Sequence, residues 1–414
     1  MRQAITAGDD TPQTPQNSRI PRTPPKSQAP QAPQNSRAAQ PSAVVRVDSP
    51  AALLAVIPHL LGFVPEASVV VIGLTPPRDR VRVTLRYDLP DPPEADLVAD
   101  IAGHAVGVIS SQQLTAAIAV GYGPEPLVTP VADALLDAAR QAGIDLHDFL
   151  RVEDGRYWSY RCADEACCPA AGVPFEAIAH PAAADMVAAG KQVLADRAAV
   201  AARVAPIGGI AAESMRQATR RAEQHVAQLL AKVRRTSRIG AARHMIAAEG
   251  LAAAGGMIAR YRGGGRFTSD YEIARITVAL RDLRVRDDAW ARMDPAHADA
   301  HLRLWIDVTR RAQPGHVAPP AALLAFVAWQ SGDGALANVA LDRALADDPG
   351  YSMALLLRQV ISAGAPPSLA RLPMTPEEVA ASYDDAEGEA ALDHEDYDHD
   401  PDVDDHVPDF DDKD

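Results

Sequence analysis

The spacing of apolar residues between positions 43 and 180 predicts a layered α/β domain. The continuous apolar run at Ser68–Leu74 is typical of a strand buried on both faces, and Arg80–Tyr87 alternates as a half-exposed strand does. Helical patterns separate these from three further predicted strands, at Leu114–Gly121, Phe149–Glu153 and Arg156–Tyr160. Because both hairpin turns and helices join the strands, we expect a mixed sheet.

After Pro181 no strand is predicted, and apolar residues recur at helical spacing as far as residue 370. Ser269 and Glu272 form an S-x-x-E capping box that fixes one helix start. The region 181–370 is therefore predicted to be an all-α helical bundle. Its last part resembles a tetratricopeptide hairpin. The predicted helices are Ala182–Val204, Glu213–Val233, Ser269–Leu283 and Ala296–Arg311.

Both ends of the chain are predicted to be disordered tails, because they have too little apolar surface to offset the entropy of ordering them. Residues 1–42 are rich in Pro and Gln, and residues 371–414 are acidic. Thr375–Asp414 carries 18 acidic residues and one lysine, so the rest of the chain is near neutral although its net charge is -15. We expect both tails to be dispensable for folding. His394, His399 and His406 in the acidic tail would bind divalent ions only weakly.

Composition indicates a cytoplasmic protein with no membrane anchor. The first residues lack the basic and apolar pattern of a secretory signal, and the apolar stretch Ala51–Val64 is shorter than the ~20 residues that a span needs. The three cysteines lie within seven positions and cannot cross-link a fold of this size, which agrees with a reducing compartment.

Five segments, in order, resemble a bacterial family catalogued as domain of unknown function 4192. The resemblance covers Val44–Leu357 and implies no activity, because none is assigned to that family. The segments are LLAVIPHLLGFVPEASVVVIGL, RVRVTLRYDLP, RYWSYRCADEACCPAAGVPFE, LRVRDDAWARM and AFVAWQSGDGALANVALDRALADDPGYSMALL.

The three cysteines, Cys162, Cys167 and Cys168, are the candidate metal ligands. Thiolates grouped on one loop are ligands that zinc prefers, and the four-residue gap allows the first two to meet at one ion. A fourth ligand would have to come from His147, Asp164 or His180. Thiol redox chemistry and simple packing of the loop are the alternatives.

Other candidate sites have ordinary structural explanations. Eight basic residues between Arg216 and Arg243 could neutralise phosphates, but the stretch lacks aromatic residues for stacking, so we do not expect nucleic-acid binding; it could equally attract the acidic tail. Arg262–Arg266 resembles a phosphate loop in composition only, and Gly121-Tyr122-Gly123 lacks the third glycine of a dinucleotide fingerprint. His59 and His104 lie on apolar helical faces, where a core role is the default.

Two functional hypotheses follow from the sequence. The favoured one is a non-enzymatic regulatory or scaffolding protein that acts through contacts with a protein partner, since no pattern supplies a nucleophile, a general base or a cofactor cradle. The alternative is an enzyme, or a small-molecule or metal-binding protein, with its site at strand ends near Cys162–Cys168. No cofactor other than zinc is suggested, and the oligomeric state stays open.

Overall fold

The computed structural model describes residues 47–76, 79–234, 239–369 and 374–384. Within these ranges a six-stranded mixed sheet is followed by helices, which confirms the predicted fold class. The predicted tail 1–42 and residues 385–414 lie outside the described residues. None of the helices in the described ranges is long and apolar enough to cross a membrane.

The sheet has the strand order β2-β1-β3-β4-β5-β6. Only β3 and β4 pair in parallel, and helix α3 (Glu125–Gln141) makes the crossover that a parallel pair requires. The other neighbours are antiparallel. The strands are β1 (Ser68–Thr75), β2 (Arg80–Asp88), β3 (Ala116–Tyr122), β4 (Asp145–Glu153), β5 (Arg156–Ser159) and β6 (Val173–Pro174).

Helices cover both faces of the sheet, which explains why β1 is a continuous apolar run. Val69 and Val71 of β1 pack against two of the helices on one face, while Val70 and Ile72 face the third helix on the other. The covering helices are α2 (Ala95–Ser111) and α3 (Glu125–Gln141) on the first face and α1 (Pro50–Leu61) on the second. Ser49 caps α1 as its N-cap, because its side chain accepts from the Ala52 amide at 3.2 Å.

Helix α4 (Pro181–Ala188) packs against α1 through Ala182 and Met186, whereas the later helices pack around a core of their own. Trp305 and Tyr261 are among its largest fully buried side chains. The later helices are α5 (Arg197–Ala202), α6 (Gly209–Arg234), α7 (Ile239–Arg262), α8 (Asp270–Ala279), α9 (Leu283–Ala291), α10 (Ala298–Arg311), α11 (Ala318–Gln330), α12 (Gly334–Asp347) and α13 (Ser352–Ser362).

Two predicted helices are each divided in the structure. The predicted helix 182–204 is α4 and α5, because Gly190 follows α4 with a φ of 79° that ends it. The predicted helix 269–283 already ends at Ala279 as α8, and its last predicted residue, Leu283, begins α9. Asp282 caps the start of α9 by accepting from the Arg284 amide at 2.9 Å. Ser269 does cap α8, as the capping box predicts.

Residues 376–384, near the predicted start of the acidic tail, are helical and packed. Thr375 and Glu378 form a reciprocal capping box, with hydrogen bonds of 2.7 and 3.2 Å. Val379 is buried, and the Tyr383 hydroxyl donates to Asp287 of α9 at 2.6 Å. The ten residues after Met374 therefore cannot be counted with a dispensable tail.

Candidate metal site

The cysteine loop, residues 160–172, connects β5 to β6 at one edge of the sheet. Strand β5 runs antiparallel to β4, with Ser159 opposite Leu150, and Arg161 then donates to the carbonyl of Leu146. The loop therefore leaves the sheet beside the amino-terminal half of β4. Gly121-Tyr122-Gly123 lies at the opposite, carboxyl end of β3, so the two candidate regions are separate.

The structure brings the three cysteines together. Their Sγ atoms all lie within 4.8 Å of one another. Backbone turns produce this arrangement, since the amides of Cys167 and Cys168 both donate to the Asp164 carbonyl, at 3.1 and 2.7 Å. The chain folds back after Asp164 and returns the paired cysteines to Cys162.

A polar support under the loop fixes Cys162, and sequence analysis missed it. The Cys162 amide donates to Ser159 Oγ at 3.0 Å, and this hydroxyl donates to Asp148 Oδ1 at 2.7 Å. The same carboxylate oxygen accepts from the Phe149 amide at 2.8 Å. Burial raises the pKa of Asp148, and the hydrogen bonds from Ser159 and Phe149 oppose that shift. The alternation of β5 places Ser159 on the same face as Tyr157. This alternation was the sequence signal from which the position of Ser159 could have been predicted.

The far end of the cysteine loop is held by Trp158. Its indole Nε1 donates to the Ala170 carbonyl at 3.0 Å, and the guanidinium of Arg151 lies 3.8 Å above its ring centre. Gly172 has a φ of 77°, and a Cβ there would lie 2.5 Å from the ring, so only glycine fits. Arg156 also donates to the Gly172 carbonyl, at 3.0 Å.

The thiols influence each other's protonation. A hydrogen bond from Cys168 lowers the pKa of Cys162, and the backbone near Asp164 adds to this effect. The same hydrogen bond raises the pKa of Cys168 to about 12, with burial as the second cause. Cys162 and Cys168 are half-exposed and Cys167 is exposed, so solvent and small molecules reach the cluster.

None of the three predicted fourth ligands joins the cluster. The ring nitrogens of His147 lie 3.2 Å from an Asp145 carboxylate oxygen and 3.6 Å from an Asp79 carboxylate oxygen. His180 caps α4 by accepting from the Ala182 amide at 3.2 Å, and Asp164 accepts from the Ala166 amide at 2.9 Å. In the described part of the chain, the group that could hold a metal consists of the three cysteines alone.

The two glycine motifs serve the packing and the termini of helices. A Cβ on Gly121 would lie 2.4 Å from Val128, so this glycine allows α3 to approach β3 closely. In the glycine loop, Arg262–Arg266, the amides of Gly263, Gly264 and Gly265 donate to carbonyls of α7. The three glycine amides of the glycine loop and the Gly123 amide, which donates to the Val152 carbonyl at 2.9 Å, are therefore already paired.

The other candidate residues also have internal partners. In the basic cluster, Arg216 and Arg220 pair with Glu213, and Arg221 lies 5.0 Å from the Tyr271 ring centre. Arg235 and Arg238 lie outside the described residues. His59 contacts the Lys191 carbonyl at 3.1 Å, and His104 contacts the Tyr87 hydroxyl at 2.7 Å.

Comparison with known protein families shows the family to which the chain belongs. A family model described as "Domain of unknown function (DUF4192)" matches residues 50–368. The chain belongs to this family. The match confirms the resemblance stated from the sequence and includes the cysteine loop, whereas the tetratricopeptide-like part of the prediction is not confirmed. No curated protein and no solved structure matches the chain, so the DUF4192 match supplies no activity.

Proposed function

We propose that this DUF4192 protein binds zinc in the cytoplasm through Cys162, Cys167 and Cys168. The observation that carries the proposal is the mutual approach of the three Sγ atoms to within 4.8 Å. Zinc bound at ~2.3 Å to each thiolate in a tetrahedral site requires sulfur atoms roughly 3.8 Å apart. Closing the loop by about 1 Å for each pair therefore suffices.

Three thiolates leave one tetrahedral position for a ligand from outside the cluster. A water molecule would fill that position, because no fourth protein ligand joins the cluster within the described ranges. Sites with three protein ligands and one open position differ from closed structural sites with four. We therefore propose exchangeable zinc binding and assign no reaction to it.

Direct metal analysis of the full chain tests this function. Protein purified without chelator should contain stoichiometric zinc, and each change Cys162→Ser, Cys167→Ser and Cys168→Ser should weaken zinc binding by at least roughly tenfold. The matched control is His147→Ala, which removes a ligand type outside the cluster and should leave the affinity unchanged.

The chain contains only these three cysteines, so a thiol assay reports on the site alone. Zinc should protect all three thiols from alkylation in the folded protein. If zinc neither binds stoichiometrically nor slows alkylation, the proposed function is rejected.

The regulatory or scaffolding role is the second candidate, and one observation supports it. Helix α13 presents Leu355, Leu356 and Val360 to solvent on one face, with Leu356 62% exposed. The simplest protein partner is a second copy of the chain. Sedimentation over a range of concentrations should show self-association that Leu356→Glu abolishes, and a concentration-independent monomer would remove this support.

A further inference from the structure

We propose that the three thiols also form a thiol–disulfide switch, in which a small-molecule disulfide links Cys162 to Cys168 and so removes two ligands from the metal. The release of metal rests on the proposed zinc binding. The thiol step rests only on the geometry of the loop.

The choice of Cys162 and Cys168 follows from their contact. Cys162 and Cys168 are both half-buried, whereas Cys167 is exposed, and of the two thiols that hydrogen-bond to Cys162 the Cys168 thiol has the larger effect. All three Sγ atoms lie within 4.8 Å of one another. A disulfide bond of ~2.05 Å needs a further approach of less than about 3 Å. A bridge between the adjacent Cys167 and Cys168 would close a strained eight-membered ring. The proposed bridge thus joins the two half-buried thiols and leaves the exposed Cys167 as a free thiol.

The reaction balances with one oxidant molecule for each bridge. The thiolate of Cys162 attacks a sulfur atom of the oxidant, whose S–S bond breaks and releases one thiol as a mixed disulfide forms. The sulfur of Cys168 then attacks Cys162 Sγ and releases the second thiol. Two cysteine thiols are oxidised, one disulfide is reduced to two thiols, and the two cysteine protons are carried by these products.

The supports of the cysteine loop favour an intramolecular bridge over a lasting mixed disulfide. Ser159 holds the Cys162 amide at 3.0 Å, and Trp158 holds the Ala170 carbonyl at 3.0 Å, so both ends of the loop are attached to β5. The tethered Cys168 thus remains beside Cys162 after the first step. Exposure of Cys167 and half-exposure of the other two leave the oxidant a path to the cluster.

The test uses the full chain, both metal-free and zinc-loaded, treated with glutathione disulfide. The metal-free chain should lose the mass of two hydrogen atoms, retain one titratable thiol and yield a Cys162–Cys168 cross-linked peptide. The zinc-loaded chain should release its zinc, as read with a chromogenic chelator, at the rate at which the bridge forms. Excess dithiol should restore both the thiols and the zinc.

Three variants separate the switch from general thiol oxidation. Cys167→Ser should still form the bridge, whereas Cys162→Ser should form only mixed disulfides with glutathione. Cys168→Ser should form an internal bridge at least roughly tenfold more slowly than the wild type. Exclusive accumulation of mixed disulfides in the wild type, or equal bridging in Cys168→Ser, would overturn the switch.

The outcome for zinc is independent of the outcome for the switch. A chain that binds no zinc but forms the bridge rejects the proposed function and retains the thiol step. A chain that binds zinc but forms no bridge retains the proposed function and rejects the switch.

Discussion

The cysteine loop and the glycine loop both look like candidate sites in the sequence, yet only one of them gathers reactive groups. In the glycine loop, the amides of Gly263, Gly264 and Gly265 donate to the carbonyls of Ala259, Tyr261 and Arg260, at 2.9 to 3.0 Å. These bonds terminate α7. A loop whose amides complete a helix has none left for a ligand.

In the cysteine loop the backbone amides are also paired, but the side chains stay available to a ligand. The amides of Cys167 and Cys168 donate to Asp164, and the amide of Cys162 donates to Ser159, so the backbone is satisfied within the loop and by β5. The three side chains remain turned toward one another. The destination of the backbone hydrogen bonds therefore decides whether a loop can serve a ligand.

A buried polar side chain is associated with each loop, and the two side chains differ in whether they have hydrogen-bond partners. Asp148, next to the cysteine loop, accepts hydrogen bonds from Ser159 and Phe149. His301, whose charge environment includes Arg262 of the glycine loop, is 1% exposed, and neither ring nitrogen has a hydrogen-bond partner among the described residues. One polar group supports a candidate site, whereas the other is expected to lower the stability of the helical core.

The largest expected effect is the loss of stability on adding a methyl group to Gly172 of the cysteine loop, compared with the same change at Gly264 of the glycine loop. Gly172→Ala places a Cβ at positive φ and 2.5 Å from Trp158, and we expect it to lower the free energy of unfolding by about 4 kcal/mol. Gly264→Ala also has a positive φ, of 83°, but meets no atom within 4 Å, so we expect a loss of about 1 kcal/mol. Denaturant titration of both variants measures the difference.

Zinc binding should also differ between the variants Gly172→Ala and Gly264→Ala. Gly172→Ala should also weaken zinc binding, because the ring that it displaces anchors the cysteine loop. Gly264→Ala should bind zinc as the wild type does. Equal losses of stability in the two variants would show that the contact with Trp158 does not constrain the loop.

The second prediction concerns the pH dependence of stability through His301. Burial lowers the pKa of His301 from 6.5 to about 4, nearby Arg262 adds to this effect and Asp294 opposes it. The unfolded chain therefore binds more protons than the folded chain between these two values, so stability rises with pH across that window. As the pH falls from 6.5 to 4, His301 alone should cost about 3 kcal/mol.

The variant His301→Leu isolates this contribution. Other groups titrate in the same window, so the measured quantity is the difference in unfolding free energy between wild type and variant at each pH. We expect this difference to shift in favour of the variant as the pH falls toward 4. A difference that is constant from pH 7 to pH 4 would mean that His301 is not buried in its neutral form.

The smallest expected effect comes from the support under Cys162. Ser159→Ala removes the hydroxyl that links the Cys162 amide to Asp148, and we expect a loss of about 1 kcal/mol in unfolding free energy, together with weaker zinc binding. Ser111→Ala is the matched control, because its hydroxyl donates only to the Val108 carbonyl of its own helix, at 2.8 Å. Zinc affinity that is equal in the two variants would show that Ser159 does not position the loop.

Sequence patterns predicted the elements whose structure depends on neighbouring residues. They failed for a segment whose structure depends on contacts with distant residues. The apolar run of β1 and the Ser269 cap were readable because they depend on neighbours in sequence. The acidic composition after Met374 concealed the Thr375–Glu378 capping box, and residues 376–384 are held by Val379 and Tyr383 against distant helices. Composition outweighed the local signal in that prediction.

For the candidate site, the ligand type, the grouping of the three cysteines and the mixed α/β scaffold beside them follow from the sequence alone, because they depend on residue identity and short-range periodicity. The tertiary structure decided which groups meet. Pairing of β5 with β4 placed Ser159 and Asp148 under Cys162, and it left His147 beside the carboxylates of Asp145 and Asp79. These contacts depend on strand register and chain reversal, which are set by packing over distances that no local pattern encodes.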